Sequence, residues 1–478
     1  MEGDNYMEHI HEECGVFGIF SQTRKDVASL SYYALYSLQH RGQESAGIVV
    51  NDDGILNVYK DKGLVSEVFI QDHLHSLPQG RIAIGHVRYG TTGLDAKKNA
   101  QPICINHMKG NLALAHNGNL VNSYELRKEL ESTGSIFYTT SDTESIVYTI
   151  VKERLTSKSI EEAVYKAVQK LEGAFSLVIS SPSKLIAVRD PHGFRPLCMG
   201  KRDDGDIVFA SETCALDAVG AHFVRDILPG EIVTVSSSGI HTNKSLCETC
   251  KKSLCAFEYI YFARSDSIID GHSVHLARQK CGEFLAKSDT VKADLVIGVP
   301  DSGLDAALGY ANASGIPYAN GFVKNKYIGR TFISPTNSQR TKELNIKLNP
   351  IRSVINGKRI ILVDDSIVRG STCRRIIRSL REAGAKEIHM RISSPPFIGA
   401  CYYGTDIDDH EKLIANQHTI KEIADIIEVD SLNYLTVEQL KQIVPNGKEL
   451  CTACFDLKYP TRIANHQSKS KFENKIKF

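Results

Sequence analysis

Cys14 heads the run Cys14-Gly15-Val16-Phe17-Gly18-Ile19-Phe20, an apolar, strand-like segment behind a short polar leader. Loss of Met1–Glu13 would leave a thiol and a free α-amine on one residue, with ordinary pKa values of about 8.5 and about 7.7–8.0. Such a pair is a nucleophile carrying its own general base, a role that an amide nitrogen cannot fill. A buried structural cysteine on a first strand is the plainer alternative for this residue taken alone. Further along, His116-Asn117-Gly118-Asn119 offers a side-chain amide and a backbone N–H in what reads as one turn. Those donors suit the oxyanion of a tetrahedral intermediate. Arg88, in Gly85-His86-Val87-Arg88-Tyr89-Gly90-Thr91, can grip a carboxylate bidentately. Asp142, in Thr140-Ser141-Asp142-Thr143-Glu144, can pair with an ammonium.

A second set lies in Ile360-Ile361-Leu362-Val363-Asp364-Asp365-Ser366-Ile367-Val368-Arg369-Gly370-Ser371-Thr372. An apolar strand ends in two carboxylates, and a hydroxyl-bearing loop then opens a helix. Backbone N–H groups there, with the helix dipole, favour a phosphate. Adjacent carboxylates at a strand's C-terminal end can hold ribose hydroxyls or a magnesium ion.

Cysteines form the third set: Cys255, Cys401, and the pair Cys451 and Cys454. Soft thiolates suit zinc or an iron–sulfur cluster. Spacing alone leans to zinc, because Cys247-Glu248-Thr249-Cys250 with Cys451-Thr452-Ala453-Cys454 would make a zinc-ribbon-like pair.

Two kinds of scaffold must hold these groups. Up to about residue 240, short strands alternate with amphipathic helices. Val27, Leu30, Ala34 and Leu38 recur at helical spacing, and Ser141 can cap a helix. Asn111–Ala115, Phe175–Ile179 and Leu185–Val188 read as strands. The polar stretch His241–Leu254 marks a boundary. Beyond it, Asp294–Pro300 and Arg359–Val363 are continuous apolar runs, the pattern of strands buried on both faces. Cys373, Ile376, Ile377, Leu380 and Ala383 form one helical stripe that Gly384 ends. Strand–helix alternation predicts a parallel, doubly wound sheet. Residues 324–350 are polar and long enough for a lid.

The chain has 478 residues, 12 cysteines and a net charge of +1. That length accommodates two or three domains, and the charge balance gives no field favouring nucleic acid or a membrane. The leader has no apolar core of the secretory kind, which points to a reducing compartment where cysteines act as thiols or ligands. The lysine-rich end is expected to be a solvated tail.

Cys14–Gly18, Gln39–Gly47, Gly85–Thr91, His116–Asn119 and Thr140–Glu144 come in an order that resembles the class II, N-terminal-nucleophile glutamine amidotransferases. The resemblance implies an α+β domain built as an αββα sandwich. It implies Cys14 as nucleophile, with Asn117 and Gly118 as the oxyanion hole. Arg88 and Asp142 would hold the backbone ends of glutamine, and Arg41 would support the site. The run Ile360–Thr372 resembles the phosphoribosyl pyrophosphate (PRPP) signature of the type I phosphoribosyltransferases, an α/β doubly wound fold. It implies Asp364 and Asp365 on the ribose diol and magnesium. Ser366, Ile367, Val368, Arg369, Gly370, Ser371 and Thr372 would surround the 5′-phosphate. Asp301, Ser302 and Gly303 resemble the pyrophosphate loop, with Ser302 associated with magnesium. Lys324, Lys326 and Arg330 become candidate phosphate contacts on a closing loop.

Taken together, residues 14–462 resemble the processed, iron–sulfur branch of the amidophosphoribosyltransferase family, the glutamine–PRPP enzymes that open purine synthesis. The resemblance implies a cleaved propeptide 1–13, a glutaminase domain 14–245, a phosphoribosyltransferase domain 246–462 and a basic tail 463–478. It implies Mg2+ and a [4Fe–4S] cluster on Cys255, Cys401, Cys451 and Cys454. Purine nucleotides would inhibit a cytoplasmic homotetramer. Two departures stand out: Ser265 where the family usually has proline, and the Cys247-x-x-Cys250 pair.

Overall fold

The computed structural model describes residues 14–89, 97–325, 348–405, 407 and 410–463. The strand Gly15–Lys25 starts one residue after Cys14, and its first seven residues are buried. It lies within a seven-stranded sheet, between Ile207–Ala210 and Gly80–Arg88. The second sheet has six strands, with Leu112–Leu120 beside Gly173–Ser181. The two pack face to face: Val16, Phe20, Ile84 and Phe209 meet Ala113, Val178 and Leu185. Helix Val27–Ser37 covers the outer face of the first sheet. Helices Asp142–Thr156 and Ile160–Val168 cover that of the second. This is the expected αββα order.

One local expectation is corrected. His116–Asn119 is not a turn but the far end of strand Leu112–Leu120, with His116 opposite Leu177 and Asn119 opposite Ala174. The polar, turn-like residues extend the strand because a complete partner strand is there to pair with them. Tertiary pairing outweighs local preference.

In the second half, Leu295–Gly298, Arg359–Asp364, Glu387–Ile392 and Ser431–Tyr434 form a parallel sheet in that order. A parallel bridge from Val296 to Tyr318 lies on the other side of the first strand. Chain order therefore reverses between Leu295–Gly298 and Arg359–Asp364, the switch point at which open α/β sheets bind ligands. Val296, Ile361 and Val363 enter one core, and Leu295, Ile297, Ile360 and Leu362 another. Helices on both faces explain the unbroken apolar runs. Helices Val274–Lys287 and Gly303–Ser314 touch backbone to backbone. A Cβ on Gly282 would lie 1.8 Å from the Ala306 carbonyl, and one on Gly309 would lie 2.0 Å from that of Gln279.

A buried charge cluster joins the halves. Arg41, fully buried, donates to Glu212 at 2.6 Å and to both carboxylate oxygens of Glu258 at 2.7 and 3.0 Å. Arg195 donates to Glu258 at 3.3 Å and to the Tyr403 carbonyl at 2.7 Å. His40 lies 2.7 Å from Glu212, which also accepts from Ser267. Burial alone would raise the Glu212 carboxyl, but His40 and Arg41 beside it hold it well below its ordinary value. Glu258→Ala would strip charge partners from two buried arginines. The expected cost is about 3–5 kcal/mol, read as a lower urea midpoint. Because the folded Glu212 titrates below its ordinary 4.5, its contribution is complete above that pH and is lost as pH falls further. Wild-type stability is therefore expected to decline as pH drops below about 4.5, and Glu212→Gln should flatten part of that decline in an acid-unfolding series.

Candidate active sites

Cys14 sits where the first strand emerges, with its thiol 3.8 Å from the Tyr89 carbonyl. Its own carbonyl accepts from Arg41 Nε at 3.1 Å. Arg41 thus links Cys14 to the junction of the two halves. Gly42 lets its loop lie flat on the next strand, since a Cβ there would come within 2.7 Å of the Arg88 backbone. The strand carrying Arg88 pairs with the first strand, Gly15 opposite Val87 and Val16 opposite His86. The buried His86 ring crosses between the sheets, with Nε2 2.9 Å from the His116 carbonyl. Burial pushes this imidazole down to about 3, so it is neutral. The crossing brings the Cys14 end of one sheet to the Asn117 end of the other.

Asn117 is fully buried, yet neither its amide nitrogen nor its oxygen has a hydrogen-bond partner among the described residues. Gly118 has φ +142°, and a Cβ there would lie 2.1 Å from the Ala174 carbonyl. Asp142 accepts from the Leu120 N–H at 2.9 Å, which ties its helix to the same strand end. Arg88 is buried and meets Glu44 at 3.1 Å. Gly90 and Thr91 of its motif lie outside the described residues.

At the switch point, Ser302 and Ser366 both donate to Asp365, and Lys324 pairs with Asp301. Asp364 and Asp365 stand side by side. Burial raises both carboxyls, and the charge on Asp365 raises Asp364 further. Two crowded carboxyls of this kind suit a cation. Gly303 comes so close to the adjoining strand that a Cβ would sit 2.5 Å from the Val363 carbonyl. Gly370 takes φ +86° as the N-cap of helix Ser371–Glu382 and offers no side-chain cap. Ser371 Oγ is buried without a hydrogen-bond partner among the described residues. Ile367 is buried beneath the loop, which also carries Val368, Arg369 and Thr372. The first turn and its hydroxyls suit a phosphate. Lys326 and Arg330 lie outside the described residues, as does most of the loop 324–350.

Cys255, Cys401, Cys451 and Cys454 line one cavity beside Phe257 and Tyr403. Cys255 lies opposite Cys451 in a short parallel pair. Burial pushes the Cys451 thiol up to about 12, and raises Cys454 together with the charges of the other three sulfurs. Cys247 lies elsewhere, its backbone packed on Gly230. The segment after Cys401 reaches the first half, where Asn119 donates to the Tyr402 carbonyl at 3.0 Å.

Sequence reasoning passed over Glu212, Glu258, Arg195 and His86. Glu258 stands three residues after Cys255, and Arg195 follows Asp190-Pro191-His192-Gly193 closely. Acidic and basic residues inside apolar runs were the available signal, because unpaired charges are rarely buried.

The family model for a glutamine amidotransferase domain matches residues 86–218, and that for a phosphoribosyl transferase domain matches residues 272–393. The amidophosphoribosyltransferase of Synechocystis sp. is 49% identical over 466 residues, 96% of this chain and 93% of its own length. That of Methanocaldococcus jannaschii is 48% identical over 464 residues, 94% of this chain and 98% of its own. The solved glutamine PRPP amidotransferase from B. subtilis, complexed with ADP and GMP, matches at TM-score 0.88 and 45% identity. That match covers 96% of this chain and 100% of the other. With two catalytic folds on one chain and near-complete likeness to these relatives, the chain belongs to the amidophosphoribosyltransferase family.

Proposed function

We infer that this chain moves the amide nitrogen of glutamine to C1 of PRPP, giving 5-phosphoribosylamine, glutamate and pyrophosphate. The observation that carries the detailed reading is the Asn117 side chain, buried with neither amide atom bonded among the described residues. A polar group in that state awaits a partner, and an oxyanion is the partner that the amide chemistry supplies.

In this reading the leader 1–13 is removed and the Cys14 amine takes the thiol proton. The thiolate attacks the glutamine amide carbon, and Asn117 and Gly118 donate to the oxyanion. The C–N bond breaks, ammonia leaves with the proton returned from the amine, and water cleaves the thioester to glutamate. Arg88 and Asp142 hold the carboxylate and ammonium of the substrate. Free ammonia at neutral pH is mostly ammonium, which has no lone pair, so transfer inside the protein keeps it reactive.

At the second site, Gly370 to Thr372 hold the 5′-phosphate, with Ser366 to Arg369 forming the rest of the loop. Asp364 and Asp365 hold the ribose diol, and Asp301 to Gly303 with Lys324 face the pyrophosphate. Ammonia adds at C1 as the bond to pyrophosphate oxygen breaks. Ser302, Asp364 and Asp365 would hold Mg2+, which offsets charge on the leaving group when bound. Arg330 and its loop would exclude water from the ribosyl centre.

The four lining cysteines would hold a [4Fe–4S] cluster that ties three chain segments together. Purine nucleotides as inhibitors, a homotetramer and a cytoplasmic location complete the reading. No helix among the described residues is long and apolar enough to cross a membrane.

Glutamate and pyrophosphate are expected in equal amounts when both substrates are present. Cys14→Ala should stop glutamine-driven turnover while pyrophosphate release with ammonium salts persists; loss of both would contradict two separable sites. Anaerobic purification is expected to yield iron and sulfide at about four each per chain, and Cys401→Ser should lose both. Zinc in their place would overturn the cluster assignment.

A further inference from the structure

Ser265 interrupts neither domain core, yet three elements converge on it. Arg278 Nη1 donates to its hydroxyl oxygen at 3.1 Å. A guanidinium has no acceptor, so the polarity of this contact has one direction. The Ser265 proton is then directed to Asp305 Oδ2, 2.5 Å away. The other Asp305 oxygen lies 2.9 Å from His275 Nδ1, and the far ring nitrogen lies 2.7 Å from the Gln279 amide. The Ser265 carbonyl accepts the backbone N–H of His275 at 3.2 Å.

Asp305 stands in the first turn of helix Gly303–Ser314, three residues after Ser302. Ser302 in turn donates to Asp365 across the switch point. Close contacts at Gly282 and Gly309 hold the middle of this helix against Val274–Lys287. The end that bears the 301–303 loop is held by the Ser265–Asp305–His275 cluster. Arg278 also donates to the carbonyls of Tyr259 and Ala263, at 2.8 and 2.7 Å, so the cluster rests on the segment that carries Glu258.

We propose that Ser265 is a positioning residue for the pyrophosphate-binding loop, acting through Asp305 rather than touching substrate. The proposal rests on the reading of residues 301–303 and 364–372 as the PRPP pocket. Without the hydroxyl, Arg278 and Asp305 lose their bridge, the helix end gains freedom, and Ser302 is no longer fixed relative to Asp365. The effect falls on pyrophosphate recognition, because the 5′-phosphate loop belongs to a different helix.

The test uses the full-length protein in the ammonia-driven reaction. Ser265→Ala is expected to raise the KM for PRPP about tenfold, the scale of a lost hydrogen bond to a charged group, with kcat at saturating PRPP within about threefold. Inhibition by pyrophosphate should weaken by the same factor, while that by ribose 5-phosphate holds. Ser265→Thr, which keeps the hydroxyl, should restore both values. An unchanged PRPP KM in folded Ser265→Ala would overturn the proposal. So would equal weakening toward pyrophosphate and ribose 5-phosphate, or a threonine variant no better than alanine. Should Ser265→Ala fail to fold, Asp305→Asn serves, and wild-type pyrophosphate inhibition in it overturns the proposal equally. Asp365→Asn separates the underlying reading: normal PRPP use there would remove the pocket itself, whatever Ser265→Ala does.

Discussion

Arg41 holds the carbonyl of Cys14 with one nitrogen and two buried carboxylates with the others. The rest of the molecule is arranged around that contact. A guanidinium with no exposure to water is tolerable only when its donors are matched by charge and geometry. Glu212 comes from the first half and Glu258 from the second, so neither half completes the cluster alone. Arg195 closes it from the other side and reaches the Tyr403 carbonyl. Cys14, just ahead of the leading strand, is therefore placed by groups that only the assembled chain provides.

The two pockets solve the same problem differently. At the first, two antiparallel sheets meet and their ends carry the polar groups. His86 crosses from one sheet to the His116 carbonyl on the other. The position of Asn117 follows from strand pairing, and its amide has no hydrogen-bond partner among the described residues. At the second, parallel strands deliver two loops to the point where chain order reverses. Helix Ser371–Glu382 begins without a side-chain cap, which leaves its first N–H groups for a ligand. In each pocket one polar side chain, Asn117 in the first and the Ser371 hydroxyl in the second, is buried with no hydrogen-bond partner among the described residues.

The cysteine cavity lies close to this framework. Cys255 is three residues before Glu258, and Cys401 is two before Tyr403, whose carbonyl Arg195 holds. Tyr402 accepts from Asn119, beyond the proposed oxyanion residues. Whatever the four sulfurs bind would cross-link the segments that brace the first pocket from behind. Cys247 and Cys250 are not among the residues that line this cavity.

Much of this was legible in one dimension. Continuous apolar runs at Asp294–Pro300 and Arg359–Val363 announced strands covered on both faces, found at Leu295–Gly298 and Arg359–Asp364, because such a strand has no side left for polar residues. Cys14, the Asp364-Asp365 pair and the loop after it could be singled out because their residue types sit close together along the chain. What stayed hidden involves partners hundreds of residues apart. The step from Arg41 to Glu258 spans 217 positions, and no local pattern encodes it. His116–Asn119 has the composition of a turn and is a strand, since its pairing partner lies at Ala174–Leu177. Local chemistry names the reactive groups through side-chain type alone. Burial, charge pairing and the joining of two halves depend on distances that exist only once the chain has folded.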